Sequence, residues 1–366
     1  MNDPERHGLS LYMIDPVLSV YGLDPAKCSI TAFGNGLINH TWKITCENKD
    51  FLLQKINQQV FKSPEDIMDN LRLLTEYFKN HYPDYLFVAP LQTTQGMNFV
   101  RQDNDYYRLF PFIENAFSVD TATDHSFAFE ASRQFGEFTG LLSAFDPNLL
   151  HITLPDFHNL TWRFRQFDDA LQYGDKKRIA KTEDNIRFLK DQQEIVTEFE
   201  KIKKHPDFKL RVVHHDAKIN NVLFDSRNNR GLCVIDLDTV MPGYYISDVG
   251  DMLRTYICPV SEDEQDFQKI NVREEYFREI AKGYFSEMQH RLSEAEKYSF
   301  VYAGKFAIYM QALRFLTDYI NNDIYYSIRY EDHNLVRTNN QITLLKEYKT
   351  KERILNEIMK SCIHAS

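Results

Sequence analysis

Residues 211–225 read RVVHHDAKINNVLFD and, past the turn Ser226 to Gly231, residues 232–238 read LCVIDLD. Asn221 to Phe224 and Leu232 to Ile235 are short apolar runs joined by a polar loop ending in glycine, the pattern of a β-hairpin. Asp216 lies on the segment entering this hairpin and Asp236 on the segment leaving it. The fold-back therefore returns both carboxylates to one end, where Asn221 joins them. Asp236 and Asp238 are two apart on a stretch expected to be extended, which turns both to one face.

That constellation suits phosphoryl transfer. The reaction needs a carboxylate to orient the attacking hydroxyl and take its proton, and oxygen ligands to hold Mg²⁺ on the phosphates of ATP. Asp216 fits the first role; Asn221, Asp236 and Asp238 offer hard oxygen donors for the second. Lys218, two residues past Asp216, is within reach of a transferring phosphate.

Upstream the pattern is that of a small α+β unit. Asp15-Pro16 reads as the start of a short helix that Gly22 stops. Trp42, Ile44 and Cys46 alternate with Thr41, Lys43 and Thr45, the period of a half-buried strand. A second strand is expected from Phe51 to Ile56, and Ser63-Pro64-Glu65-Asp66 opens a helix reaching about Lys79. Tyr106 to Ile113 reads as another strand. Beyond it the chain turns helical: Ala131, Phe135, Phe138, Leu142 and Phe145 line one helical face and are expected in the core. Ile195, Phe199 and Ile202 mark a further helix, and the charged segment Lys176 to Asp184 is expected to be a solvated connection. From about Glu274 the pattern is helical again.

Composition narrows the function. The 366 residues include 27 Phe and 21 Tyr, enough for a packed core, and the formal net charge is −10. An acidic chain does not suit general nucleic-acid binding, which needs a basic face. Cys28, Cys46, Cys233, Cys258 and Cys362 are odd in number and scattered, so neither a disulfide framework nor a zinc site is expected, and a reducing cytoplasm suits them. No run has the length of a signal peptide or a membrane span, so a cytoplasmic protein without membrane partners is expected. Oligomeric state is not legible.

His214-x-Asp216-x-x-x-x-Asn221 resembles the catalytic loop of the aminoglycoside phosphotransferase and choline kinase superfamily, and is similar to the His-Arg-Asp loop of protein kinases. The segment 235–238 resembles the metal-binding segment that follows. His215 stands where that superfamily usually has glycine. Residues 247–251, SDVGD, are similar to the start of the next helix, whose carboxylate braces the catalytic loop. The resemblance implies an α+β, two-lobed protein-kinase-like fold: a small N-terminal antiparallel-sheet lobe, 1–112, that binds ATP, and a larger, mainly helical lobe, 113–366, for catalysis and substrate. It makes Asp216 the base, Asn221 and Asp236 the Mg²⁺ ligands, and His214 a structural residue of the loop.

The nucleotide lobe is less explicit. The segment 33–39, FGNGLIN, with Gly34 and Gly36, stands where a phosphate-covering loop belongs, and is equally an ordinary hairpin turn. Lys55 is the candidate for holding the α- and β-phosphates, against a solvated strand lysine. Its carboxylate partner is expected on the helix 64–79, as Asp69 or Glu76. Phe112 to Asn115 is expected to form the hinge that reads adenine.

Within the superfamily the resemblance runs to the N-acetylhexosamine 1-kinase group, carried by residues 51–57 (FLLQKIN), 212–223, 234–243 (VIDLDTVMPG), 313–320 (LRFLTDYI) and 323–326 (DIYY). It implies a small-molecule sugar substrate, with Arg314 and Tyr325 in its pocket. The competing role for Arg314 is a pair with Asp318 one turn on. A kinase for choline, homoserine, a thioribose or an aminoglycoside is the alternative activity. A non-catalytic ATP-binding regulator is another, which predicts loss of Asp216, Asn221 or Asp236; all three are present.

Overall fold

The computed structural model describes residues 11–34 and 38–364. Gly36 lies outside them. The chain divides into two compact units, 1–116 with 148–154, and 117–147 with 155–366. The division thus falls at 116 rather than 112, and the short segment 148–154 joins the first unit.

The first unit begins with α1 (Leu11–Val20) and contains β1 (Cys28–Ala32), β2 (His40–Cys46), β3 (Lys49–Lys55), α2 (Pro64–His81), β4 (Val100–Gln102) and β5 (Asp105–Pro111). The strands form one antiparallel sheet in the order β1-β2-β3-β5-β4. Side chains alternate between its faces. Ile44, Leu53, Tyr107 and Leu109 lie on one face and bury Ile14, Val17 and Leu18 of α1. Thr41, Lys43, Gln54, Tyr106 and Arg108 lie on the other, where Tyr106 donates its hydroxyl to Glu65 of α2.

Three expectations are corrected here. Pro16 sits inside α1 rather than opening it, because the helix begins at Leu11. Cys28 and Cys46 form a disulfide: β1 and β2 place them directly opposite, at a Cα separation of 4.1 Å, a proximity that their scatter along the sequence hides. Lys55 pairs with Asp105 of β5 at 2.6 Å, and not with α2, whose Asp69 and Glu76 both face Arg72. The cause is register: Lys55 shares parity with Leu53 and so lies on the α1 face, away from α2.

The second unit starts at the end of β6 (Ala116–Phe117) and continues with α3 (His125–Leu141), α4 (Leu160–Tyr173), α5 (Lys176–Lys181), α6 (Glu183–Asp191) and α7 (Glu194–Lys204). Then come β7 (Arg211–Val213), β8 (Val222–Asp225), β9 (Gly231–Val234) and β10 (Met241–Gly243). It closes with α8 (Ile246–Tyr256), α9 (Glu274–Met288), α10 (Glu294–Tyr298), α11 (Phe300–Ile320), α12 (His333–Thr350) and α13 (Glu352–His364). The expected aromatic stripe on α3 is buried through Phe145. α11 is buried on nearly every side, against α4, α8 and α12. The charged segment Lys176 to Asp184 is largely exposed, as expected, but it is helical and anchored: Asp175 caps α5, and Arg178 donates to the Tyr319 carbonyl at 2.6 Å and pairs with Asp323 at 2.5 Å. Among the described residues no helix is long and apolar enough to cross a membrane.

Candidate active site

β8 and β9 form the expected hairpin, and β7 pairs with β10 through Val213↔Met241 and Arg211↔Gly243. The loop 214–221 hangs between these two pairs and is held from several directions. Asp248, fully buried on α8, accepts the amides of His214 and His215. Thr239 donates its hydroxyl to the His214 carbonyl at 2.6 Å, and Tyr256 donates to the Ala217 carbonyl at 2.6 Å. The His214 ring bonds the Ile235 carbonyl at 2.9 Å and meets the edge of Phe135. The bracing carboxylate that the resemblance implies at residues 247–251 is therefore Asp248.

His215 has φ +66°, the left-handed region where glycine is favoured. Its imidazole is accommodated because residue 243, opposite it, has no side chain. Burial draws the His215 imidazole down to about 4, so it is neutral at physiological pH.

Asp216 is partly exposed, with Lys218 Nζ 2.9 Å from Oδ1 and the Asn221 amide nitrogen 2.9 Å from Oδ2. Burial works against its ionisation, but the Lys218 ammonium, with help from Asn221, outweighs it and holds the carboxyl below its usual value. Asp216 is thus an ionised carboxylate ready to accept a proton. Because the Asn221 nitrogen is engaged with Asp216, its carbonyl oxygen is the end left to meet a cation. The Ile235 amide donates to the backbone carbonyl of Asn221 at 2.9 Å, which leaves the side-chain oxygen unaffected and sets Asp236 beside Asn221.

Asp236 and Asp238 do not share a face. Asp236 has φ +60° and starts a 3₁₀ turn, Leu237–Thr239, so the segment is bent rather than extended. Asp236 ends up exposed and Asp238 buried at 2%. The donor set fits a magnesium ion, which takes few protein oxygens and completes its shell with water and phosphate. Asn221 and Asp236 are the residues suited to hold it, while Asp238 lies buried behind them in the sequence of the turn.

A second cluster adjoins the loop. His215 Nδ1 lies 3.4 Å from His158 Nδ1, and His158 stacks on Phe157. Arg314 lies over the Phe157 ring at 5.3 Å, over Tyr326 at 5.4 Å and over Tyr325 at 5.6 Å. It donates to Gln311 Oε1 at 3.3 Å and to the Tyr325 hydroxyl at 3.5 Å. The competing pair with Asp318 is not formed, since Asp318 accepts the amides of Tyr325 and Tyr326. Arg163, which sequence reasoning missed, belongs here: it donates to the Phe157 carbonyl at 3.1 Å and to Gln166 at 2.9 Å. Burial, and after it the charge of Arg314, draws its guanidinium down to about 10. Asn159 caps α4 by accepting the Trp162 amide, and a cap residue of that type is the signal that could have placed Arg163 on the first turn.

In the first unit, Gly34 has φ +75°, and the Phe112 ring lies 4.5 Å from Lys43 Nζ and edge-on to Phe33. Asn115 has φ +55°.

A small antiparallel-sheet unit, a larger helical unit and a catalytic loop braced by a helix carboxylate define a kinase-like phosphotransferase fold. Residues 29–284 match the model of the phosphotransferase enzyme family APH, and the chain belongs to that family. Solved structures bear out the fold. A microcompartment-associated aminopropanol kinase superposes with a TM-score of 0.67 at 14% identity, over 95% of this chain and 99% of that one. The AMP-bound spectinomycin phosphotransferase APH(9)-Ia gives 0.60 at 15% identity, over 93% and 98%. Choline kinase from Cryptosporidium parvum gives 0.58 at 13%, over 97% and 98%.

Proposed function

We propose that this phosphotransferase uses ATP and Mg²⁺ to phosphorylate the anomeric hydroxyl of an N-acetylhexosamine. Asp216 takes the proton of the C1 hydroxyl as its oxygen bonds to the γ-phosphorus. The bond from that phosphorus to the bridging oxygen breaks, and ADP leaves with the electron pair. Lys218 swings from Asp216 to the transferring phosphoryl oxygens. Asn221 and Asp236 would hold Mg²⁺, which would supply charge neutralisation at the phosphates. Gly34, Phe112 and Asn115 contact the nucleotide. Arg314, Tyr325 and Arg163 hold the sugar.

The observation that carries the acceptor choice is the pair of arginines whose hydrogen-bond partners are all neutral. Two guanidiniums, that of Arg314 lying over aromatic faces, offer planar donors to hydroxyl and acetamido oxygens. They repel an ammonium group, which argues against choline, aminopropanol or an aminoglycoside as acceptor. The alternative of a non-catalytic regulator finds no support in an Asp216 that is ionised and hydrogen-bonded to Asn221.

The test is ATP consumption with N-acetylglucosamine, N-acetylgalactosamine, glucose, choline, 1-amino-2-propanol and kanamycin. Acetamido sugars should exceed the others in kcat/KM by at least about 10-fold, the worth of one polar contact. Asp216→Asn should lower that turnover by about 10²–10⁴-fold. Preferred turnover of an amine would overturn the sugar assignment.

A further inference from the structure

We infer that Nε2 of His158 is the hydrogen-bond acceptor of the pocket formed by Arg163, Arg314 and Tyr325, taking an O–H or N–H of the ligand, and that His215 fixes it in that role. This rests on the proposal that a sugar occupies the pocket, to which it adds a specificity-determining residue.

The role follows from where the ring protons have to sit. His215 Nε2 faces the Pro242 carbonyl at 3.4 Å. A carbonyl only accepts, so Nε2 carries the proton of this neutral ring and Nδ1 is bare. The group facing that bare nitrogen at 3.4 Å is Nδ1 of His158, which must therefore donate. Burial, and after it His215 and the charges of Arg314 and Arg163, hold the His158 imidazole well below its usual value. A neutral His158 with its proton on Nδ1 has a bare Nε2, and that nitrogen bonds nothing among the described residues. His215 cannot easily give way, because its amide is held by Asp248 and its ring fills the space over Gly243.

The surroundings place this acceptor among donors. His158 stacks on Phe157 at 4.6 Å between ring centroids, and Arg314 lies over the same ring at 5.3 Å. Arg163 donates to the Phe157 carbonyl at 3.1 Å. His158 is half-buried rather than sealed. Guanidiniums only donate. The hydroxyls of Tyr325 and Tyr326 accept from Arg314 and Gln311, which leaves each its own proton to give, and Gln311 Oε1 is taken by Arg314. A sugar hydroxyl both donates and accepts, and one that leaves water with its proton unpaired loses binding energy. His158 Nε2 supplies the acceptor that the arginines lack.

Two measurements on the full chain test this. Long-range nitrogen–proton correlation spectra read histidine tautomers directly, with His158→Gln identifying the His158 signals. His158 should be bare at Nε2 and protonated at Nδ1; a proton on Nε2 at neutral pH would overturn the inference. The second measurement is turnover of N-acetylglucosamine, its 3-, 4- and 6-deoxy analogues and the analogue methylated on the acetamido nitrogen. His158→Phe should raise KM by about 3- to 10-fold, the worth of one neutral hydrogen bond, with kcat within about twofold. One analogue should lose that same factor with wild type and lose nothing with His158→Phe, and its identity names the donor. His158→Gln, whose side-chain carbonyl also accepts, should recover part of the affinity. Equal losses for every analogue in both proteins would overturn the inference alone. If His158→Phe does not fold, the tautomer spectrum of wild type decides. Wild type that turns over none of these sugars would remove the sugar proposal and this role with it.

Discussion

Asp248 Oδ1 accepts the backbone amide of His215 at 2.7 Å, and Oδ2 accepts that of His214 at 2.9 Å, so one buried carboxylate fixes both peptide units that precede Asp216. Burial pushes its carboxyl up to about 6, against the two amide bonds that favour the ionised form. An unfolded aspartate titrates near 4, so between about pH 4 and 6 the folded state binds more protons than the unfolded one. The stability contributed by this group is therefore greatest below about pH 4, falls as pH rises to about 6, and is level above; its span is at most about 3 kcal/mol. Asp248→Asn removes that dependence. Thermal unfolding of both proteins from pH 4 to 7 should show the wild-type margin over the variant shrinking as pH rises. A margin that grows with pH would contradict the raised pKa.

Gly243 leaves room for His215. A Cβ on residue 243 would fall 2.6 Å from both His215 Cε1 and Val213 Cγ2. Gly243→Ala should destabilise the protein by about 1–3 kcal/mol, as overpacking does, and lower kcat by displacing the loop. His215→Gly should rescue part of that loss, leaving a coupling of about 0.5 kcal/mol or more in a double-mutant cycle. Strict additivity would mean that the two positions do not press on each other.

Asp236 and Asp238 should separate by what their loss affects. Asp236→Ala, at an exposed and left-handed position, should fold normally and lose activity, with partial recovery at high Mg²⁺. Asp238→Ala, at a site 2% exposed, should lower the unfolding midpoint and retain measurable turnover at permissive temperature. An active Asp236 variant beside a folded but dead Asp238 variant would reverse the metal assignment.

Much of this was legible in the sequence because it is written locally. The hairpin, the entering Asp216 and the Asn221 five residues on follow from local spacing, and the resemblance implied the bracing carboxylate within residues 247–251 that the structure identifies as Asp248. What escaped depends on partners distant in sequence or on a single step of register. Lys55 and Gln54 are neighbours, and strand parity alone decides which of them faces α2. Cys28 and Cys46 look unrelated until β1 and β2 pair. The left-handed turn at Asp236 gives no signal in residue type, since an aspartate there breaks the expectation of glycine. Arg163 joins Arg314 only through Phe157, from a segment about 150 residues away in the chain.

The central claim is transfer to an anomeric oxygen, and its most direct test is the phosphorus-coupled proton NMR spectrum of the product formed from ATP and N-acetylglucosamine or N-acetylgalactosamine. An anomeric hydroxyl is more acidic than other sugar alcohols, so a carboxylate held below its usual pKa, as Asp216 is, can still serve as a late-acting base. The account predicts splitting of the anomeric proton by phosphorus, and no product from the methyl glycoside, whose C1 oxygen carries no proton to give. Phosphate on C6, or turnover of the methyl glycoside, would contradict it.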